Sequence, residues 1–171
     1  MIRKLLVAAA ALVAAVVMIY VVGLVLPVAH VASGTRTIPR PAEAVYRQIA
    51  DVEHYPRWWP DIERVETLSR TPLGHITFRQ HSTDGAIVME VVEETAPSRF
   101  VTRIADPDQP FSGTWTFELT PHDTSTEVTI TERGEVYNPL FRFMSRFVFG
   151  HTRTIESALA ALAASDGRAR P

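Results

Sequence analysis

The sequence predicts an α+β protein: a curved antiparallel sheet of about six to seven strands, covered by one long C-terminal helix and preceded by a single apolar N-terminal helix. Three observations carry this reading. Leu5 to Leu26 form 22 consecutive uncharged, almost wholly apolar residues directly behind Arg3 and Lys4. From Ile62 to Glu135 apolar and polar residues alternate with a period of two, as half-buried strands do. From Pro139 to Ala164 the spacing becomes that of an amphipathic helix.

The first segment is long enough to cross a bilayer. At about 1.5 Å per residue its helix measures about 33 Å, against a hydrocarbon layer of roughly 30 Å. A cleaved secretory signal is the competing reading, but its apolar core would be only about 7 to 15 residues long. Ala32 offers a cleavage point only if His30 stands where a small residue is wanted. Residues 1–27 are therefore read as an uncleaved signal-anchor, with contact to the membrane through 5–26. Arg3 and Lys4 face Arg36 and Arg40 across the span. The expected topology is single-pass with the N-terminus inside and the soluble part on the outer, extracytoplasmic side.

Residues 28–164 have the size of one domain, and 165–171 form a polar tail. All 19 acidic side chains lie in this part, with every basic one except Arg3 and Lys4, so it is net acidic. That balance argues against a nucleic-acid partner. There are no cysteines, which removes disulfides, thiolate metal sites and cysteine nucleophiles. The six histidines show neither His-x-His nor His-Glu-x-x-His spacing, so no metal is expected. No glycine-rich phosphate loop precedes a helix and Gly-x-Ser-x-Gly is missing, so no cofactor is expected either.

Element by element, Val31 to Ile38 reads as a first strand, stopped by Pro39 and Pro41. Pro41 begins a short helix that ends near Asp51, with Glu43 near its positive end and Val45, Tyr46 and Ile49 on one face. The prolines flanking Trp58 and Trp59 make the next segment a bent aromatic turn. Breaks at 71–74, 84–85, 96–98, 106–113 and 121–125 divide the alternating region into six strands. On the last helix, Leu140, Met144, Phe147, Ile155, Ala158 and Leu162 fall on one stripe at 100° per residue.

This order of elements, with Ile49, Ala50, Asp51, His54, Tyr55, Trp58, Trp59 and Pro60 in the helical insertion, resembles the START-like helix-grip superfamily, which includes the polyketide cyclase/dehydrase and lipid-transport type. The likeness runs from about His30 to Ala164. Further pieces carry it: Val91 to Glu93 with Pro97 to Arg99, and Thr114 to Pro121 with Thr126 to Glu132. It implies a cavity between sheet and helix that binds a hydrophobic molecule. It carries no catalytic signature, and the superfamily includes both enzymes and carriers.

Candidate binding residues follow from phase. Phe78, Met89, Trp115, Phe117, Met144 and Phe147 supply an apolar interior, with one residue of the Trp58–Trp59 pair, assigned to Trp59. Gln80 and Glu132 each end an inward apolar row with a polar group, Arg103 being the nearest partner for Glu132 by strand position. His151 falls near the middle of the helical stripe. The leading expectation is a membrane-anchored carrier for a hydrophobic small molecule or lipid. One alternative is a cyclase or dehydratase moving protons with His151 and Glu132; another is a structural module with a protein partner. The Asp106–Gly113 segment reads either as a lid or as a plain hairpin loop.

Overall fold

The seven strands are β1 (Ala29–Ile38), β2 (Ile62–Arg70), β3 (Ile76–Ser82), β4 (Gly85–Thr95), β5 (Arg99–Ile104), β6 (Phe111–His122) and β7 (Ser125–Val136). They form one antiparallel sheet in the order β1-β7-β6-β5-β4-β3-β2. Strands two to seven follow one another as hairpins, so each pairs with its sequence neighbour. The first strand crosses over and adds beside the last. Its crossover is α2 (Ala42–Ala50), a 3-10 turn (Val52–His54) and α3 (Tyr55–Trp58), the bent aromatic segment expected from the two prolines. The N-terminal helix α1 spans Ile2–Val25, and the C-terminal region contains α4 (Pro139–Met144), a π-helical turn (Ser145–Phe149) and α5 (Arg153–Ala164). This computed structural model describes residues 1–72, 75–83, 85–150 and 152–165, with only the backbone at 149.

Alternation places one face of the sheet in the core. Phe78, Val91, Phe100, Phe117, Val128 and Ile130 are fully or almost fully buried, while Arg103 pairs with Glu90 and Arg99 with Glu118 on the other face. The buried face of α5 (Ile155, Ala158, Leu159, Leu162) packs on β1 and β7. Arg40 ties this helix to α2. Its guanidinium donates to the Gln48 side chain at 2.7 Å and to the Leu162 carbonyl at 2.9 Å, placing a cation at the negative helix end.

Three expectations change. The first strand begins at Ala29 rather than Val31, so His30 belongs to the sheet. The β5–β6 hairpin loop is tighter than 106–113, because Phe111 to Gly113 already pair with β7. The C-terminal helix is not continuous. Asn138 caps α4 by accepting from the Leu140 and Phe141 amides. The Gly150 amide then bonds back five residues to the Ser145 carbonyl at 3.0 Å. Gly150 takes φ 74 and ψ 164, a conformation that ends the helix and that side-chain-bearing residues avoid.

α1 is long and apolar enough to cross a membrane, though a signal sequence passes the same test. Among the described residues, only its last turns meet the rest of the protein. Gly23 is buried where a Cβ would fall 2.0 Å from the Pro139 carbonyl oxygen, and Arg142 donates to the Leu26 carbonyl at 2.9 Å.

Candidate functional site

A cavity of about 370 Å³ lies between the inward sheet face and the broken helical region. Its wall is built by register. Trp115 stands opposite both Glu132 and Thr102, Phe78 opposite Met89, Met89 opposite Ile104, and Gln80 opposite Ile87. Directly paired residues share a face, so these neighbours form one continuous lining. The helical side contributes Tyr55, Trp59, Phe141, Ser145, Gly150 and Thr154.

The apolar end is aromatic. Trp59 is buried and its ring lies 5.9 Å from that of Trp115, which lies 6.2 Å from Phe117. Tyr55 holds this group from behind. Its ring meets Trp59 at 5.8 Å and Phe78 at 6.3 Å, and its hydroxyl donates to the Ile49 carbonyl at 2.8 Å. Burial, reinforced by the negative charge of Asp51, pushes the Tyr55 phenol far above its ordinary pKa, so it stays a neutral donor. Trp58 stacks on Trp59 at 5.5 Å and only partly enters the core. One tryptophan plugs the interior, as the short turn requires.

The polar end is set by β1 and β7. His30 Nε2 lies 3.2 Å from Glu132 Oε1, with the two side chains 17% and 23% exposed. The contact depends on Gly134, directly opposite His30. A Cβ there would fall 2.4 Å from His30 Cε1 and 2.7 Å from Nε2, so the imidazole lies where only a glycine leaves room. Arg103 is not the partner of Glu132, because opposite strand phase sends it outward to Glu90. Glu135 and Ser112 complete this end at the mouth, bridged by the Tyr137 hydroxyl at 3.1 Å and 2.7 Å.

Seven of the sequence-derived site residues line the cavity: Trp59, Phe78, Gln80, Met89, Trp115, Phe117 and Glu132. Met144 and Phe147 are not on its wall. Phe141 and Ser145 supply the inward side of this segment instead, one position away from the anticipated stripe. Phe147 is 59% exposed, with its ring 4.9 Å from Phe143. His151 lies outside the described residues. His30 is missing from the sequence reading because the expected strand starts at Val31, two residues after its actual start at Ala29. Its phase with Ala32, the next inward residue of β1, was the available cue. Among the described residues no group of three or more histidine, aspartate or glutamate side chains is placed to hold a metal ion.

Residues 38–161 match the model of the family described as polyketide cyclase / dehydrase and lipid transport. Many solved structures share the fold. A START superfamily protein from Mycobacterium smegmatis is 22% identical with a TM-score of 0.64, covering 78% of this chain and 94% of its own. An aromatase/cyclase from a Streptomyces species is 17% identical, TM-score 0.63, covering 79% and 92%. Norcoclaurine synthase from Thalictrum flavum is 10% identical, TM-score 0.63, covering 80% and 85%. No curated protein matches the sequence.

Proposed function

Because this chain belongs to the polyketide cyclase/dehydrase and lipid-transport family, we propose that it is a membrane-anchored binding domain that holds an apolar small molecule or lipid in the cavity beside the bilayer. One observation carries the reading: the cavity is walled by aromatic and aliphatic side chains, and its helical rim abuts the end of α1. A site of this size with greasy walls and a few hydrogen-bonding groups is built for a small amphiphile. Burying its apolar part would supply affinity at about 25 cal/mol per Å².

Retention of the anchor is part of the proposal. Cleavage after Ala32 would cut β1 in the middle of its pairing with β7 and remove His30 from Glu132. Pro139 and Arg142 also engage the last turns of α1, so α4 would sit at the lipid boundary, and Phe141 and Ser145 on the cavity rim with it. Phe147 and Val148, 59% and 57% exposed, lie on the turn that follows and would find apolar cover there. The domain is proposed to face the outer side.

The test is mass spectrometry of small molecules extracted from the full chain purified in mild detergent. A recurring apolar compound is expected, depleted at least tenfold in Thr102→Phe, which fills the cavity from β5. Recovery of nothing from the wild-type protein would overturn the carrier reading.

A second reading is favoured by the His30–Glu132 contact. An imidazole and a carboxylate side by side on a cavity wall can shuttle protons on a bound carbonyl compound, as in a cyclase or dehydratase. His30→Gln should then abolish turnover while leaving the extracted compound in place, whereas a pure carrier has no turnover to lose.

A further inference from the structure

We propose that the cavity selects an amphiphile with a cationic head, an amine carried on an apolar body. This rests on the binding reading and specifies its ligand class. Three observations converge on it.

The polar end is acidic. Glu132 faces the cavity, Glu135, of the opposite strand phase, reaches only its mouth, and no lysine or arginine is found among the described lining residues. With His30 neutral, its Nε2–H donates to a charged Glu132. With His30 protonated, the pair balances, and the exposed Glu135 leaves the mouth negative. The neighbouring arginines are engaged elsewhere: Arg103 with Glu90 on the outer face, and Arg142 with the Leu26 and Tyr137 carbonyls.

The wall next to that acidic end is an indole. Trp115 is the direct cross-strand partner of Glu132 and belongs to the aromatic group formed with Trp59 and Phe117. An ammonium beside Glu132 could therefore meet a carboxylate and a ring face together, both of which attract cations. A carboxylate or phosphate head at the same place would meet the Glu132 carboxylate, with no lysine or arginine on the described wall to offset it.

The size fits a compact ligand. A cavity of about 370 Å³ accommodates an arylalkyl or short alkyl body. A two-chain lipid would have to leave most of its chains outside.

All three tryptophans of the chain, Trp58, Trp59 and Trp115, belong to this aromatic group. Intrinsic fluorescence of the full chain in dodecyl maltoside therefore reports cavity occupancy. The probes are 3-phenylpropylamine, 3-phenylpropan-1-ol and 3-phenylpropanoate, alike in body and different in head charge. The expected result is an amine bound at least tenfold more tightly than the alcohol, and a carboxylate bound most weakly. Glu132→Gln, which preserves shape, should reduce the amine-to-alcohol preference about tenfold. Glu135→Gln at the mouth should reduce it less. Alcohol or carboxylate binding as tight as the amine overturns the cationic class and leaves the cavity reading standing. Failure of all three to bind removes both. The ranking on the wild-type protein decides the matter even if a variant does not fold.

Discussion

Gly134→Ala should destabilise the domain, and the sign alone is informative. In a strand interior, replacing glycine by alanine where the backbone permits it stabilises by about 0.4 to 1 kcal/mol. Here the new methyl would fall 2.4 Å from His30 Cε1 and 2.7 Å from Nε2. Carbon atoms rest about 3.5 to 4.0 Å apart, so the imidazole must move by roughly 1 Å or more. The 3.2 Å contact with Glu132 would then open. Overpacking costs about 1 to 3 kcal/mol, and a lost hydrogen bond to a charged group up to about 1.5 to 3, discounted here because both side chains are partly exposed. A net loss of about 2 kcal/mol is expected. Urea unfolding of the full chain in detergent, followed by tryptophan fluorescence, measures it. The control is His30→Ala, which removes the clashing ring. The double variant should be no less stable than His30→Ala alone, giving a coupling of about 2 kcal/mol. Additivity within about 0.5 kcal/mol would refute the claim that Gly134 exists to seat His30.

Three further outcomes follow from the same geometry. Tyr55→Phe removes the donor to the Ile49 carbonyl and should cost about 1 to 2 kcal/mol at neutral pH. The native phenol pKa is raised, so the stability linked to its neutral form is complete below the unfolded value of about 10 and is lost as pH climbs beyond it. Urea midpoints at pH 9 and pH 11 should therefore differ more in the wild type than in this variant. Gly150→Ala should cost about 1 to 3 kcal/mol in the same unfolding assay through backbone strain alone, because nothing lies within 4 Å of the added methyl. The chain contains no cysteine, so Thr124→Cys in the exposed β6–β7 turn is a unique label site. An impermeant maleimide should modify it on intact cells, and protection until the membrane is broken would reverse the proposed topology.

The sheet was readable because its two faces meet different solvents. Trp115, Phe117 and Leu119 alternate with threonine and glutamate, and a period of two admits no other register once one face is buried. Phe78, Met89 and Phe117 followed directly onto the cavity wall. The helical side was less legible for a local reason. Counting 100° per residue assumes one regular helix, and here a π turn and the break at Gly150 separate α4 from α5. The phase correct for Ile155, Ala158 and Leu162 was therefore wrong for Met144 and Phe147. His30 was hidden differently: it follows an apolar run and a proline, where a strand start is masked by the segment before it. Its partner could not be found by proximity in sequence, since it lies 102 positions away on β7. Pairing β1 with β7 was needed to bring the two together.

The break in the helix and the existence of the cavity are two aspects of one arrangement. An unbroken helix over 139–164 would carry one straight apolar face, and a face that packs at β1 would tend to close on the sheet along its whole length. Instead α5 buries Ile155, Ala158, Leu159 and Leu162, while α4 leaves the sheet and meets the end of α1. The space opened by that departure is lined by Phe141, Ser145, Gly150 and Thr154, which run from α4 through the break into α5. A π turn is tolerated at a cost in hydrogen-bond geometry, and such turns concentrate where function requires the irregularity. The cost here has a counterpart at the N-terminus. The Arg142 guanidinium supplies a donor to Leu26 just where α1 runs out of amide partners. Contact with α1 thus helps hold α4 away from the sheet, and a chain lacking α1 would lose that restraint at the rim of its own binding site.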